Sequence, residues 1–143
     1  MAAPNSEPIF SRVGAISFVG AMTAANASKD ISSGTTYCVH TADATNGGYV
    51  REVRIKADPI NNTVATVCRL YINNGSTIAT PANSTFVTEI TIPAVTASAV
   101  AAQPDFVIPC DFVLPPGYKL YLSFGTAPGG SGQFSGTAIG GSY

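Results

Sequence analysis

The stretch Val64-Ala65-Thr66-Val67-Cys68-Arg69-Leu70-Tyr71-Ile72-Asn73-Asn74-Gly75 alternates Cys68, Leu70 and Ile72 with Val67, Arg69 and Tyr71, then stops at Asn-Asn-Gly. Successive side chains of a strand point to opposite faces, so this period of two predicts a strand. Asn-Gly readily adopts the positive backbone angles of a primed hairpin turn, which predicts such a turn at its end. Upstream, residues 50–57 repeat the pattern, with Val53, Ile55 and Ala57 on one face and Arg54 and Lys56 on the other. That is a half-buried strand, separated from the next by the turn residues Asn61-Asn62-Thr63. Downstream, Phe86, Thr88, Ile90 and Ile92 are expected on one strand face, opposite Val87, Glu89 and Thr91.

The same punctuation extends to both ends. Residues 106–114 read as extended but interrupted by Pro109, and Pro115-Pro116-Gly117 turns the chain. Tyr118, Leu120, Leu122 and Phe124 then line one face, and Gly-rich residues 129–132 lead to a strand near residues 134–139. Toward the N-terminus, residues 13–22 read as a strand and Ser28, Asp30 and Gly34 as a polar turn region. Residues 35–41 alternate before the turn Asn46-Gly47-Gly48. About eight short strands at this spacing, with almost no helical periodicity, predict an all-β fold. The expectation is a single antiparallel β-sandwich or jelly roll over residues 13–143. Residues 1–12 are expected to form an extended N-terminal arm, because Pro4 and Pro8 cannot donate to a ladder. Its large apolar residues Ile9 and Phe10, with Arg12, are the expected partner contacts.

Of 143 residues, 45% are apolar and only 10% charged, with a net charge of −1. Soluble domains carry about 25% charged residues, so part of this surface is expected to be covered by other subunits. Nucleic acid and acidic membranes both select basic surfaces, so neither is an expected partner. No run of 18 apolar residues occurs, and the N-terminus lacks a basic segment ahead of an apolar one. Cytosolic synthesis is the expectation. Cys38, Cys68 and Cys110 are too widely spaced for a disulfide framework and read as small hydrophobes.

Candidate chemistry is sparse. His40 is the only histidine, and Cys38 two residues before it would share its strand face. With Cys68 and Cys110 these could supply four zinc ligands, but close-spaced ligand pairs are missing and a structural His40 is the preferred reading. The carboxylates Glu7, Asp30, Asp43, Glu52, Asp58, Glu89, Asp105 and Asp111 stand singly. Gly129-Gly130-Ser131-Gly132 lacks the lysine of a phosphate loop and reads as a flexible turn. Arg51, Arg54, Lys56 and Arg69 read as a solvated face near Glu52 and Glu89. Asn26, Asn61, Asn74 and Asn83 each open an Asn-X-Ser/Thr triplet, which turns use for side-chain-to-backbone hydrogen bonds. No catalytic residue, metal or cofactor is expected, and the chain is not read as an enzyme.

From about Thr23 onward the chain resembles a group of small proteins encoded in tailed bacteriophages and prophages, often close to capsid genes. The matching residues are Thr23-Ala24-Ala25-Asn26, Lys29-Asp30, Ser33-Gly34-Thr35 and Val53-Arg54-Ile55-Lys56-Ala57. The strongest run is Ala65-Thr66-Val67-Cys68-Arg69-Leu70-Tyr71-Ile72-Asn73-Asn74-Gly75-Ser76. Leu114-Pro115-Pro116-Gly117-Tyr118-Lys119-Leu120 and Gly140-Gly141-Ser142-Tyr143 complete it. The resemblance implies a structural virion protein of the capsid decoration or cement type. It would be made in the host cytoplasm and placed on the capsid surface. The implied partners are the major capsid protein and further copies of itself, as a homotrimer. The alternative is a tail or fibre component binding a host surface glycan or protein.

Overall fold

Eight strands follow one another in the computed structural model, which describes residues 13–143. They are β1 (Val13–Met22), β2 (Tyr37–Thr41), β3 (Gly48–Ala57), β4 (Thr66–Asn73), β5 (Ser84–Ile92), β6 (Phe106–Leu114), β7 (Lys119–Phe124) and β8 (Phe134–Ser142). They form two four-stranded sheets, ordered β1-β8-β3-β6 and β2-β7-β4-β5, and every pairing is antiparallel. Consecutive strands β1 to β4 alternate between the sheets, which is the winding of a jelly roll. The expected all-β antiparallel sandwich is therefore observed. The expected arm, with Ile9, Phe10 and Arg12, lies outside the described residues.

The core is what the alternation supplies. Val53 and Ile55 of β3, Ile108 of β6, Leu70 of β4 and Leu120, Leu122 and Phe124 of β7 are fully buried between the sheets. Phe124 stacks on Phe134 across the sandwich, with ring centroids 4.9 Å apart. Burying a side chain of this size contributes roughly 1.5–3 kcal/mol, so these few positions dominate the stability.

Bulges interrupt the simple period at several points. The register of β5 on β4 shifts between Leu70 and Tyr71, so Thr88 pairs with Leu70 while Phe86 pairs with Tyr71. This bulge at Val87 turns Phe86 away from the face of Thr88, Ile90 and Ile92 on which it was expected. There it meets the Tyr71 ring edge-on at 5.7 Å. Pro109 does not break β6, because β6 is an edge strand and a proline there costs no ladder bond. A further bulge places Asp111 at φ 49°, where the Tyr49 hydroxyl donates to its carboxylate at 2.6 Å.

The turn after β4 also differs from expectation. Gly75 does have a positive φ of 89°, but the chain does not return in a two-residue hairpin. Asn73 and Asn74 instead accept from the backbone N–H groups of Gly75 and Ser76, and a 3-10 turn at Pro81–Asn83 precedes β5. By contrast, Pro115-Pro116-Gly117-Tyr118 closes as expected. The Tyr118 N–H donates to the Pro115 carbonyl at 3.1 Å, and Gly117 has φ 75°. Pro then Gly at the central positions is the signature of a type II turn.

Candidate functional site

The outer face of the first sheet is divided along its strands. Across β1, β8, β3 and β6 the register aligns Phe18, Thr137, Arg54 and Val107 in one row. Ile16, Ile139, Glu52 and Pro109 form the next row. The β1 side is apolar and open to solvent, with Ile16 72% and Phe18 78% exposed. Val113 of β6 is also exposed. The β3 side is charged but internally paired. Arg54 donates to Glu52 at 2.7 Å, Arg51 reaches the same carboxylate at 3.2 Å, and Lys56 pairs with Asp105 at 2.9 Å. The expected solvated face is thus present for these three cations, and Asp105 is a partner that strand alternation did not reveal.

Arg69 belongs elsewhere. It lies on the outer face of the second sheet, 9% exposed, and donates from Nε to Glu89 at 3.1 Å. Tyr71 beside it is buried as well, so β4 is covered on both faces rather than half-buried. The cover is the 23–36 connection. Tyr71 donates its hydroxyl to the Lys29 carbonyl at 2.8 Å, and Tyr37 accepts from the N–H groups of Thr23 and Ala24. Between this connection and β5 lies a cleft of about 300 Å³ lined by Lys29, Arg69, Phe86 and Glu89. A second hollow shares Lys29 and Phe86 and reaches Asp30 and Tyr71. The hydroxyls of Ser28 and Ser32 hold Asp30 down to about 2, so it is a carboxylate at any physiological pH.

The four residues that could have bound zinc are not brought together. Among the described residues no group of three or more His, Cys, Asp or Glu side chains is placed to hold a metal ion. Cys38 is exposed on β2, Cys68 is buried in the core and Cys110 is half-buried on β6. The reading of all three as buried hydrophobes therefore holds for Cys68 and fails for Cys38, which sits on the outward face of an edge strand. His40 is 6% exposed, and its Nδ1 lies 2.7 Å from the Ser17 hydroxyl. The two residues belong to strands of different sheets, so neither motif nor spacing could have joined them. Burial pushes the His40 pKa below its ordinary value of 6.5.

The asparagines of all four triplets serve turns. Asn26 is buried, accepts from Ser28 N–H at 2.9 Å and donates to the Thr35 carbonyl. Asn61 donates to Asp58, Asn74 accepts from Ser76 and Asn83 donates to the Thr77 carbonyl.

No protein-family model matches the chain, and no curated protein matches it. Among solved structures it is similar to a chain of infectious bursal disease virus, Gx strain, at 16% identity and a TM-score of 0.33. It is also similar to a chain of the Gt strain, at 14% identity and 0.32. Each match covers 98% of this chain and 35% of the viral one, so the chain spans about a third of their length. Superposition this loose carries no functional conclusion.

Proposed function

We propose that this chain is a structural virion protein that decorates or cements a bacteriophage capsid by binding the shell of the major capsid protein. The observation that carries the reading is the uncovered apolar part of the first sheet's outer face, Ile16 and Phe18 above all, on a chain with 10% charged residues. Leaving two such side chains in water forfeits roughly 1.5–3 kcal/mol each, which a protein surface recovers. The phage-encoded group described above supplies the direction. Jelly rolls serve viral shells and lectins alike, so the fold by itself does not choose between them. In this reading residues 1–12 and the apolar face that carries Ile16 and Phe18 meet the shell together.

The test is co-sedimentation of the purified chain with phage particles of the host that encodes it, followed by electron microscopy of the decorated particle. Binding at symmetry-related positions on the shell is the expected result. Deleting residues 2–12 is expected to leave melting unchanged and weaken co-sedimentation. Full-length protein that never pellets with particles overturns the reading.

One observation favours the alternative of a host-glycan binder in the tail. Phe86, 51% exposed, stands in the cleft beside Lys29, Arg69 and Glu89, and an aromatic face among charged groups is a sugar-binding arrangement. Glycan-array binding lost in Phe86→Ala, with no affinity for particles lacking tails, would favour it.

A further inference from the structure

Strand edges attract other strands unless something blunts them, through proline, charge, a bulge, shortness or a covering element. Three of the four sheet edges here are blunted. β6 carries Pro109 and the bulge at Asp111, β2 has five residues and a register shift, and β5 carries Glu89 and the bulge at Val87. β1 is different. Its ten residues, Val-Gly-Ala-Ile-Ser-Phe-Val-Gly-Ala-Met, contain no charge and no proline, and its bulge, with Ala21 at φ 53°, comes only after Val19, leaving the register on β8 regular from Val13 to Val19. Among the described residues it pairs with β8 on one side and with no strand on the other.

The side chains of this edge are arranged symmetrically about Ser17. Ile16 and Phe18 flank it, both strongly exposed, and Gly14 and Gly20 stand beyond them on the same face. Neither glycine takes a positive φ, and a Cβ on either would meet nothing within 4 Å. Packing within the chain therefore does not demand a bare backbone at these positions. A strand glycine with space around it suits close approach by a second backbone, although Gly20 also borders the bulge before Met22.

We propose that β1 pairs edge to edge and antiparallel with β1 of a second copy, about a two-fold axis at Ser17. In that register Ile16 of each copy faces Phe18 of the other, and Gly14 faces Gly20. Large meets large and small meets small, with the same patch used by both copies, as a two-fold contact requires. Aromatic–β-branched cross-strand pairs of this kind are among the favourable ones in sheets. The two first sheets merge into one continuous sheet, and a dimer forms in place of the homotrimer implied by the phage resemblance. This inference does not rest on the virion reading, because it concerns the purified chain without particles.

The test is sedimentation velocity of the full-length chain across a concentration series, with Ile16→Lys, Phe18→Glu and the double variant. The expected result is a dimer whose dissociation constant rises by at least about tenfold in either single variant. The double variant restores it, because the register sets each new ammonium against a new carboxylate. Both sites are exposed, and unchanged melting of the Δ2–12 chain and of each variant in its monomeric form controls for folding. A monomer at all concentrations, a trimer, or a dimer indifferent to both single variants overturns the proposal. So does a full-length monomer that dimerises only after deletion of residues 2–12, since that result assigns the edge to the chain's own N-terminal segment.

Discussion

Gly75 and Gly117 are in backbone contact: a Cβ on Gly75 would stand 2.8 Å from the Gly117 carbonyl oxygen. The β4–β5 and β6–β7 connections therefore meet at one end of the sandwich with no room for a side chain. Gly75 also sits at φ 89°, which branched residues strongly disfavour. Gly75→Val is expected to destabilise the fold by more than about 1 kcal/mol, from clash and backbone strain together. Thermal melts against wild type check it. An unchanged melting temperature would remove the close contact.

The burial of His40 between the sheets predicts a pH dependence. Burial lowers the His40 pKa in the folded chain, so between that value and 6.5 the unfolded chain takes up a proton that the folded one refuses. Stability is fully present above pH 6.5 and declines as the pH falls toward the folded value. Urea titrations from pH 8 to pH 5 should show this decline in wild type and a flatter profile in His40→Gln. Parallel profiles would assign the decline to the carboxylates instead.

The three thiols should separate by reactivity. Burial raises the Cys68 thiol to about 12 and the Cys110 thiol to about 11, whereas Cys38 is exposed. Maleimide labelling followed by mass spectrometry should modify Cys38 first, Cys110 slowly and Cys68 only under denaturing conditions. Cys68→Ala should fold with a loss of about 1–2 kcal/mol, the cost of a small core cavity. Early labelling of Cys68 would contradict the burial.

Tyr71 fixes the 23–36 connection over the second sheet through its hydroxyl bond to the Lys29 carbonyl. Tyr71→Phe keeps the ring and its contact with Phe86 while removing that bond. A loss of about 0.5–1.5 kcal/mol is expected, with faster amide exchange confined to the connection. Unchanged exchange there would show that the connection is held by other contacts, such as Asn26 N–H to the Phe124 carbonyl.

What the sequence made legible follows strand periodicity closely. Val53, Ile55 and Ala57 fall inside as their spacing predicted, and so do Leu120, Leu122 and Phe124. Phe86 was misplaced because a single extra residue in β5 inverts every side chain before it, and no residue type in that stretch marks the bulge. The burial of Arg69 and Tyr71 depends on where a distant connection comes to rest, information that β4 does not contain. Ser17 and His40 meet only because β1 and β2 stack across the sandwich. Residues 13–22 read as a strand from their sequence, and only the sheet order shows that this strand is an edge with Ile16 and Phe18 exposed on it.

The pairing of β8 with both β1 and β3 has a consequence for how the protein is made. Val13 is joined in register to Ser142, and β8 is the strand that bridges β1 to the rest of its sheet. While a ribosome is still short of Phe134, β1 has emerged but lacks its only ladder partner among the described strands. The nascent chain thus carries an uncharged, β-prone segment until β8 has been made, and folding waits on closure of a very long loop. Stalled or prematurely terminated chains would expose that segment, so chaperone capture during translation should concentrate on β1 and end abruptly once β8 is released.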